Sequence, residues 1–485
     1  MNTTRKIAKN TIFLLLSNVL AYVFTFIATV YTARYLGVEG WGIISVALSI
    51  TGIFGVFTDL GLSSLTVREV ARDKSLVDKY FSNTFVIKIF LGFFTFGIIA
   101  LISYIVGYSQ QIINVIYIIT ISIILGSFTS VFYSIFQAYE KMEYQSLATI
   151  ISNLGMLVLT LIVIYLGLTV VGFAVIYIVV SLIALLYISI IYLRKYSLPK
   201  LEIDLEFWKE IFKESLPFAI TGIFVTIYFW IDSFMLSVMV GNDAVGIYNA
   251  AYRLIFVLLF IPSLFVTVLF PVMSRHFESA RELLKMEYEK SFKFLFIVAI
   301  FIFIYGLIFA NEIIMIIFGQ NFYQSIITLQ TLIWVVPIIF LTLLFGNILN
   351  AVNKQRVVTI VATLNVLFNI TLNLILIPQY SFIGASIATV LTELLGFIAM
   401  FYYISKYHFR VSLKSYIFLP LFNGFIVFIL IYILKTLNWI IAGLLGILIY
   451  IALLYVLGII NKDDIKLLKE LISIGDKNDS GFSKK

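Results

Sequence analysis

With 485 residues, 62% of them hydrophobic and only 12% charged, the chain lies far from the near-half apolar, quarter-charged make-up of soluble domains. A mean hydropathy of +1.09 excludes a soluble three-domain protein, a disordered chain and a coiled coil. The absence of Cys excludes disulfides, thiolate nucleophiles and Cys-ligated metals.

The N-terminal residues Arg5, Lys6 and Lys9 precede a long apolar run without a small-residue cleavage pattern. They predict a retained first span rather than a removed leader. Hydropathy then divides the chain into fourteen expected helices, roughly 11–35, 41–59, 83–105, 112–137, 146–166, 169–193, 215–240, 244–270, 291–311, 326–349, 356–377, 381–404, 413–435 and 438–460. Each approaches the roughly 20 apolar residues that cross a bilayer. The run lengths, with no short alternating segments, predict helices rather than barrel strands. The expected fold is therefore an all-α polytopic membrane protein. The inside connections 60–82, 194–214 and 271–290 carry charged helical patterns, expected as amphipathic helices at the interface. The charged tail 461–485 is expected to be cytoplasmic and to fray beyond Asp476.

Loop charge tests this division, because Lys and Arg collect in cytoplasmic loops. With the N-terminus inside, 29 of the 33 basic residues fall in inside loops, adjoining helix ends or the tail. Outside positions hold only Arg34 and Lys435, and Lys88 and Arg253 fall within spans. An error of one helix would invert every later loop, so the asymmetry supports the count and places both termini in the cytoplasm of a cell whose plasma membrane the chain spans. It also accounts for most of the net charge of +8 without a nucleic-acid partner.

The two halves resemble each other. Ala33–Ile43 aligns with Ser237–Ile247 at an offset of 204, with Gly37 and Gly42 on Gly241 and Gly246. Ser134–Lys141 aligns with Asn347–Lys354 at an offset of 213, and Gly172 with Gly384 at 212. The expected units are a six-helix bundle in 1–200, its repeat in 201–410, two further helices in 411–460 and the tail. An even number of helices per repeat gives both halves the same orientation. Two like-oriented bundles with a site between them is the layout of an alternating-access transporter.

Several segments carry a family resemblance. After the first expected helix stands Ala33-Arg34-Tyr35-Leu36-Gly37-Val38-Glu39-Gly40-Trp41-Gly42; after the second come Asp59-Leu60-Gly61-Leu62-Ser63 and Val67-Arg68-Glu69-Val70-Ala71-Arg72-Asp73. The second half adds Lys213-Glu214-Ser215-Leu216-Pro217-Phe218, Ile231-Asp232-Ser233, Gly246-Ile247-Tyr248-Asn249-Ala250-Ala251-Tyr252-Arg253 and Gly384-Ala385-Ser386-Ile387-Ala388-Thr389. Over nearly its whole length the chain resembles the polysaccharide biosynthesis, or O-antigen flippase, family of the multidrug/oligosaccharidyl-lipid/polysaccharide (MOP) exporter superfamily. The resemblance implies a V-shaped MOP/MATE-like arrangement of helices that moves polyprenyl-linked oligosaccharides to the outer leaflet. It says little about which sugar is carried.

Ionisable groups within spans cost roughly 2.5–3.5 kcal/mol each on insertion scales and so demand a reason. Asp232 and Arg253 each lie roughly 13 Å from the outer side at about 1.5 Å per residue. They form either an ion pair between helices or a phosphate site, with Arg253 making bidentate contact to the cargo and Asp232 holding its side chain. Arg34 either snorkels to lipid headgroups or sits at a cavity mouth. Lys88 either snorkels inward or lines a cavity for an anionic cargo. Glu393, near the middle of its span, is either a hydrogen-bonded core group or the site of a coupling H+ or Na+. Asp59 and Arg68 bracket a turn and are expected to be structural.

The leading reading is a flippase for lipid-linked oligosaccharide precursors, with the lipid tail left among membrane lipids. A cation-coupled drug antiporter of the same superfamily is the alternative; it would favour an acidic cavity and lack the last two helices. A membrane glycosyltransferase or polymerase would need carboxylates or metal ligands on a sizeable loop. The outer loops hold only Glu39, Asp243 and Glu312, so no enzyme is expected. No cofactor or metal is expected either, the two His, His276 and His408, being far apart in sequence.

Overall fold

The computed structural model describes residues 3–196, 200, 202–409, 414–436 and 438–460; the tail 461–485, expected to be cytoplasmic and to fray beyond Asp476, lies outside the described residues. These residues form helices and turns, with no strand among them. The α-helices are α1 (Thr3–Phe54), α2 (Leu62–Arg72), α3 (Val77–Val106), α4 (Gln110–Ala138), α5 (Glu143–Tyr165), α6 (Val170–Lys195), α7 (Leu205–Met239) and α8 (Asn242–Leu258). They continue as α9 (Phe260–Ser279), α10 (Arg281–Ile308), α11 (Ala310–Ile317), α12 (Ser325–Leu332), α13 (Val335–Ala351), α14 (Gln355–Tyr407), α15 (Leu419–Lys435) and α16 (Trp439–Val456).

Among the described residues eleven helices are long and apolar enough to cross a membrane, or up to twelve if the bent pair α12 and α13 is one span. The expected fourteen is not reached by this criterion, and the reason is local. α1 runs through both of the first two expected spans and is interrupted only at Gly37 (φ +70°). α14 runs through the eleventh and twelfth and is interrupted only at Ser381 (φ +54°), just after Pro378. One residue in the left-handed region turns the chain without a loop. Of the expected interfacial helices, α2 stands alone, with Leu62, Leu65, Thr66 and Val70 buried on one face. The other two patterns run straight into α7 and α10.

The chain divides into two compact units, one of residues 1–250, 317–322 and 370–385, the other of residues 251–316, 323–369 and 386–485. In the first unit α4 packs on α6 and α1 on α5, and α1 also meets α7. Two glycines decide the close approach of α1 to the start of α8. A methyl on Gly42 would lie 2.1 Å from the Asn242 carbonyl oxygen, and one on Gly246 would lie 2.3 Å from the Val38 carbonyl oxygen. Gly246 is Gly42, and Asn242 is Val38, displaced by the offset of 204. Each corner thus receives the other's backbone in the same way, as a local two-fold would arrange it. Gly61 (φ +77°) admits α7 similarly, since a Cβ there would meet the Ser215 carbonyl oxygen at 2.7 Å.

The link from α6 to α7 is seated on α3 by one buried amide. Asn83 Nδ2 donates to the Lys79 and Glu202 carbonyls, each at 2.8 Å. Its Oδ1 accepts from the Asp204 N–H at 2.9 Å and from Trp208 Nε1 at 2.8 Å. Asp204 caps α7 through the Glu206 and Phe207 amides, both at 3.1 Å, and pairs with Lys79 Nζ at 3.0 Å. The Lys79 hydrogen bond, followed by the backbone amides, holds the Asp204 carboxyl below its ordinary range.

In the second unit α15 and α16 are tied to the end of α10. Tyr450 donates its hydroxyl to the Ile297 carbonyl at 2.8 Å and Tyr305 donates to the Gly443 carbonyl at 2.5 Å. Lys435 Nζ reaches Glu312 at 2.9 Å and the Ile308 carbonyl at 2.6 Å. This accounts for one of the two basic residues that topology assigns to the outer side.

Gly42→Ala and Gly246→Ala each force a methyl into backbone, and each should cost about 1–3 kcal/mol, read as a lower thermal midpoint of the purified protein. Gly97→Ala, where nothing lies within 4 Å, should cost nothing. Acidification should also loosen the start of α7. A depressed carboxylate contributes stability that is complete above the ordinary carboxylate range and is lost as pH falls through the folded value. Hydrogen exchange at the Glu206 and Phe207 amides should therefore accelerate at acid pH, and Asp204→Asn should flatten that dependence.

Candidate functional site

The polar groups that α3 and α4 carry into the first unit converge on Lys88. Its side chain is 1% exposed, in a helix otherwise dominated by Phe, Ile and Leu. An ammonium so placed needs a counter-charge and a full set of acceptors. Nζ donates to Asp59 Oδ1 at 2.6 Å, Ser130 Oγ at 2.5 Å, Ser63 Oγ at 3.0 Å and the Ser127 carbonyl at 3.1 Å. Four acceptors surround three protons, so the ammonium has no spare donor for an anion. In this structure the Lys88 ammonium is buried and paired with Asp59.

Asp59 follows the 3-10 turn Gly55–Thr58 that closes α1. Its side chain is 31% exposed. Ser63 donates its hydroxyl to Asp59 Oδ1, and the Ser63 amide reaches Oδ2 only at 3.4 Å. Asp59 Oδ1 thus takes both Lys88 and the Ser63 hydroxyl, and the residue lines an open space of about 620 Å³. That space is lined by Thr58, Asp59, Ser63, Ser122, Ser127, Ser130, Tyr177 and Ser181 on the polar side, with Ile123 and Gly126 beside them. Its size falls in the roughly 300–1,000 Å³ range of small-molecule sites.

The structural role expected of Arg68 is met separately. It bonds Glu69 at 2.5 Å and Glu214 at the start of α7, and its guanidinium lies 5.8 Å from the centre of the Phe218 ring.

A second polar cluster lies at the other end of α7. Asp232 is 7% exposed. Its Oδ2 accepts from the Tyr248 hydroxyl at 2.8 Å and its Oδ1 from Asn373 Nδ2 at 2.6 Å. Beside it Asn249 Nδ2 donates to Ser233 Oγ at 2.9 Å. Tyr248 and Asn249 ride on the first two turns of α8, the corner that Gly246 brings against Val38. Arg34 Nε donates to the Ile317 carbonyl at 2.7 Å. Asp232, Arg34, Lys88 and Asp59 all belong to the first unit, whereas half-buried Arg253 and buried Glu393 belong to the second. Glu393 is 3% exposed, next to Thr392 at 1%. Across from it on α14, Asn365 lies against Gly396, where a Cβ would stand 2.4 Å from the Asn365 amide nitrogen.

Ser63, Ser127, Ser130, Tyr248 and Asn373 were not among the sequence-predicted site residues. The available signal was the hydroxyl run Ser122, Ser127, Ser130 and Ser134 within an apolar helix. Among the described residues no three of His, Cys, Asp and Glu gather as metal ligands.

Comparison with known proteins places this architecture. The family described as "Polysaccharide biosynthesis protein" matches residues 7–277, more than half of the chain. The chain belongs to that family. The "MatE" family also matches, over residues 217–375. The "Capsular polysaccharide biosynthesis protein CapF" of Staphylococcus aureus is 24% identical over 82% of this chain and 99% of its own length. The "Putative O-antigen transporter" of Shigella flexneri is 22% identical over 74% of this chain and 88% of its own. Among solved structures, "Lipid II flippase MurJ, inward closed conformation" superimposes with a TM-score of 0.75 at 18% identity, covering 92% of this chain and 98% of that one. The chain therefore has the fold of the MOP superfamily. It is a multi-pass membrane protein of a transporter family, not an enzyme.

The Lys88–Asp59 contact makes a specific demand. Asp59→Asn leaves a buried ammonium without its counter-charge and should lower stability by about 3 kcal/mol or more, seen as lost folded yield or a lower thermal midpoint. Adding Lys88→Met to it should recover most of that loss. Additive losses in the double variant would contradict the pairing.

Proposed function

We propose that the chain is a flippase. It moves lipid-linked oligosaccharide precursors from the cytoplasmic to the outer leaflet by alternating access, for the synthesis of cell-surface polysaccharide or glycan. The observation that carries this reading is the family match over residues 7–277, joined to a TM-score of 0.75 with a lipid II flippase.

The physical task is to carry a polar headgroup through hydrocarbon while the polyprenyl tail stays in the bilayer. A polar path spares the sugar the cost of desolvation, and the hydroxyl-lined cavity beside Asp59 in the first unit supports this reading. In this reading both termini are cytoplasmic, which the basic loops support, and the membrane is the plasma membrane. The repeat bundles 1–200 and 201–410, followed by 411–460, are the moving parts. In the second unit Arg253 binds the cargo's phosphate; in the first unit Asp232, held by Tyr248 and Asn373, and Arg34 contact the cargo. Glu393 is the group that binds a coupling H+ or Na+.

The MatE match over residues 217–375 favours a second reading, cation-coupled drug export. One reconstitution separates the two. Fluorescent lipid-linked oligosaccharide in proteoliposomes should gain headgroup accessibility in the opposite leaflet only when the protein is present. Transport of cationic dyes with no lipid-linked cargo moved would favour export. Arg253→Ala should reduce translocation by about tenfold or more, the scale of one lost charge-assisted contact, at unchanged folded yield. Glu393→Gln should remove its dependence on an ion gradient.

A further inference from the structure

The wall around Asp59 has an unusual hydrogen-bonding sense. Thr58 donates its hydroxyl to the Gly55 carbonyl at 2.8 Å. Ser122 donates to the Ile119 carbonyl, Ser127 to the Ile124 carbonyl and Ser130 to the Ser127 carbonyl, each at 2.7 Å. Ser63 donates to Asp59. Five hydroxyl protons are therefore committed to the protein; the Ser63 and Ser130 oxygens also accept from Lys88, so the lone pairs left on the wall are chiefly those of Thr58, Ser122 and Ser127. Asp59 Oδ2 adds a carboxylate acceptor on the same wall. The charge of that carboxylate is balanced by Lys88, whose own protons are all engaged.

Such a surface asks for a ligand rich in donors and without net charge. Phosphate, all acceptors, finds no free donor among these five hydroxyls, which leaves only Ser181 and Tyr177 to donate to it. A free cation gains little beside the Lys88 ammonium. A sugar ring satisfies each condition: several hydroxyls, or an acetamido N–H, to donate, and a C–H face to lie against Ile123 and Tyr177. Resting on the flippase reading above, we propose that this cavity of the first unit is a glycan subsite. It holds one uncharged sugar of the lipid-linked cargo by accepting hydrogen bonds from it, while the phosphates are held elsewhere. Asp59 is the ligand-binding acceptor, the serines of α4 and the Ser63 hydroxyl complete the wall, and Lys88 is a positioning residue that fixes which carboxylate oxygen faces the sugar.

The chain has no cysteine, so one introduced thiol reports on the cavity alone. Ser181→Cys, in the full chain in nanodiscs, is labelled with a water-soluble methanethiosulfonate. The competitors are farnesyl pyrophosphate carrying a hexose, a 6-deoxyhexose or an N-acetylhexosamine, bare farnesyl pyrophosphate, and inorganic pyrophosphate. At least one glycoside should slow labelling about fivefold or more relative to the bare lipid, and Asp59→Asn with Lys88→Met should abolish that protection. Protection by none of the glycosides, or equal protection by the bare lipid, would overturn the subsite.

Filling the cavity gives the second arm. Nothing lies within 4 Å of a Cβ placed on Gly126, or of one on Gly97 outside the cavity. Gly126→Leu should cut translocation of lipid-linked oligosaccharide about tenfold or more by occluding the site, while Gly97→Leu should not change it. Undiminished translocation by Gly126→Leu would overturn the subsite with the flippase reading intact. Sugar protection at Ser181→Cys in a protein that moves no lipid-linked cargo would support the subsite and refute the flippase reading.

Discussion

The close crossing of Val38–Gly42 with Asn242–Gly246 is the contact on which both polar clusters of the first unit depend. It brings a backbone carbonyl within reach of each helix start, at distances only glycine permits. The second part of α1 leaves this crossing and delivers Thr58 and Asp59 to the cavity. The first turns of α8 leave it and deliver Tyr248 and Asn249 to Asp232 and Ser233. A shift of the crossing would move the acceptor wall and the Asp232 cluster together. The offset of 204 between the partners makes this a symmetric joint: each residue set plays toward the other the part the other plays toward it.

Within that frame, electrostatics follows one rule. In hydrocarbon a charge persists only with a partner or a full shell of hydrogen bonds. Lys88 has both, from Asp59 and three further oxygens. Lys435 has Glu312 and a carbonyl. Asp232 has a phenol and an amide. This leaves the acceptor lone pairs of the serine wall as the conspicuous surplus in the first unit. A surplus of acceptors has a chemical meaning that a surplus of positive charge would not: it suits hydroxyls better than phosphates. Phosphate binding is proposed instead for Arg253, in the other unit.

Much of the architecture was legible from residue types. Spans follow from runs of apolar side chains, and orientation from where Lys and Arg fall, because both reflect transfer energies that act residue by residue. The joints were harder. Around Gly37 and Ser381 the sequence suggests loops, yet a single left-handed residue suffices, so helices run on where spans were expected to end. The site was legible only in part. Lys88 and Asp59 each stood out as ionisable groups, but their separation by 29 positions concealed that they meet, and Lys88 therefore read as a snorkelling or cargo-facing cation. The serines of α4 were hidden for a different reason. Serine in an apolar helix bonds its own backbone and draws no attention until the fold lines several of them along one cavity.

The proposed glycan subsite places the cargo's sugar against this acceptor wall. It is tested most directly by a cryo-electron microscopy structure of the full chain in nanodiscs with a farnesyl-pyrophosphate-linked sugar. The claim predicts ring-shaped density between Asp59, Ser127 and Ser181, with the pyrophosphate outside the cavity. Density for the pyrophosphate against Lys88 and Asp59, or a bound cargo whose sugar lies elsewhere while this cavity stays empty, would contradict it.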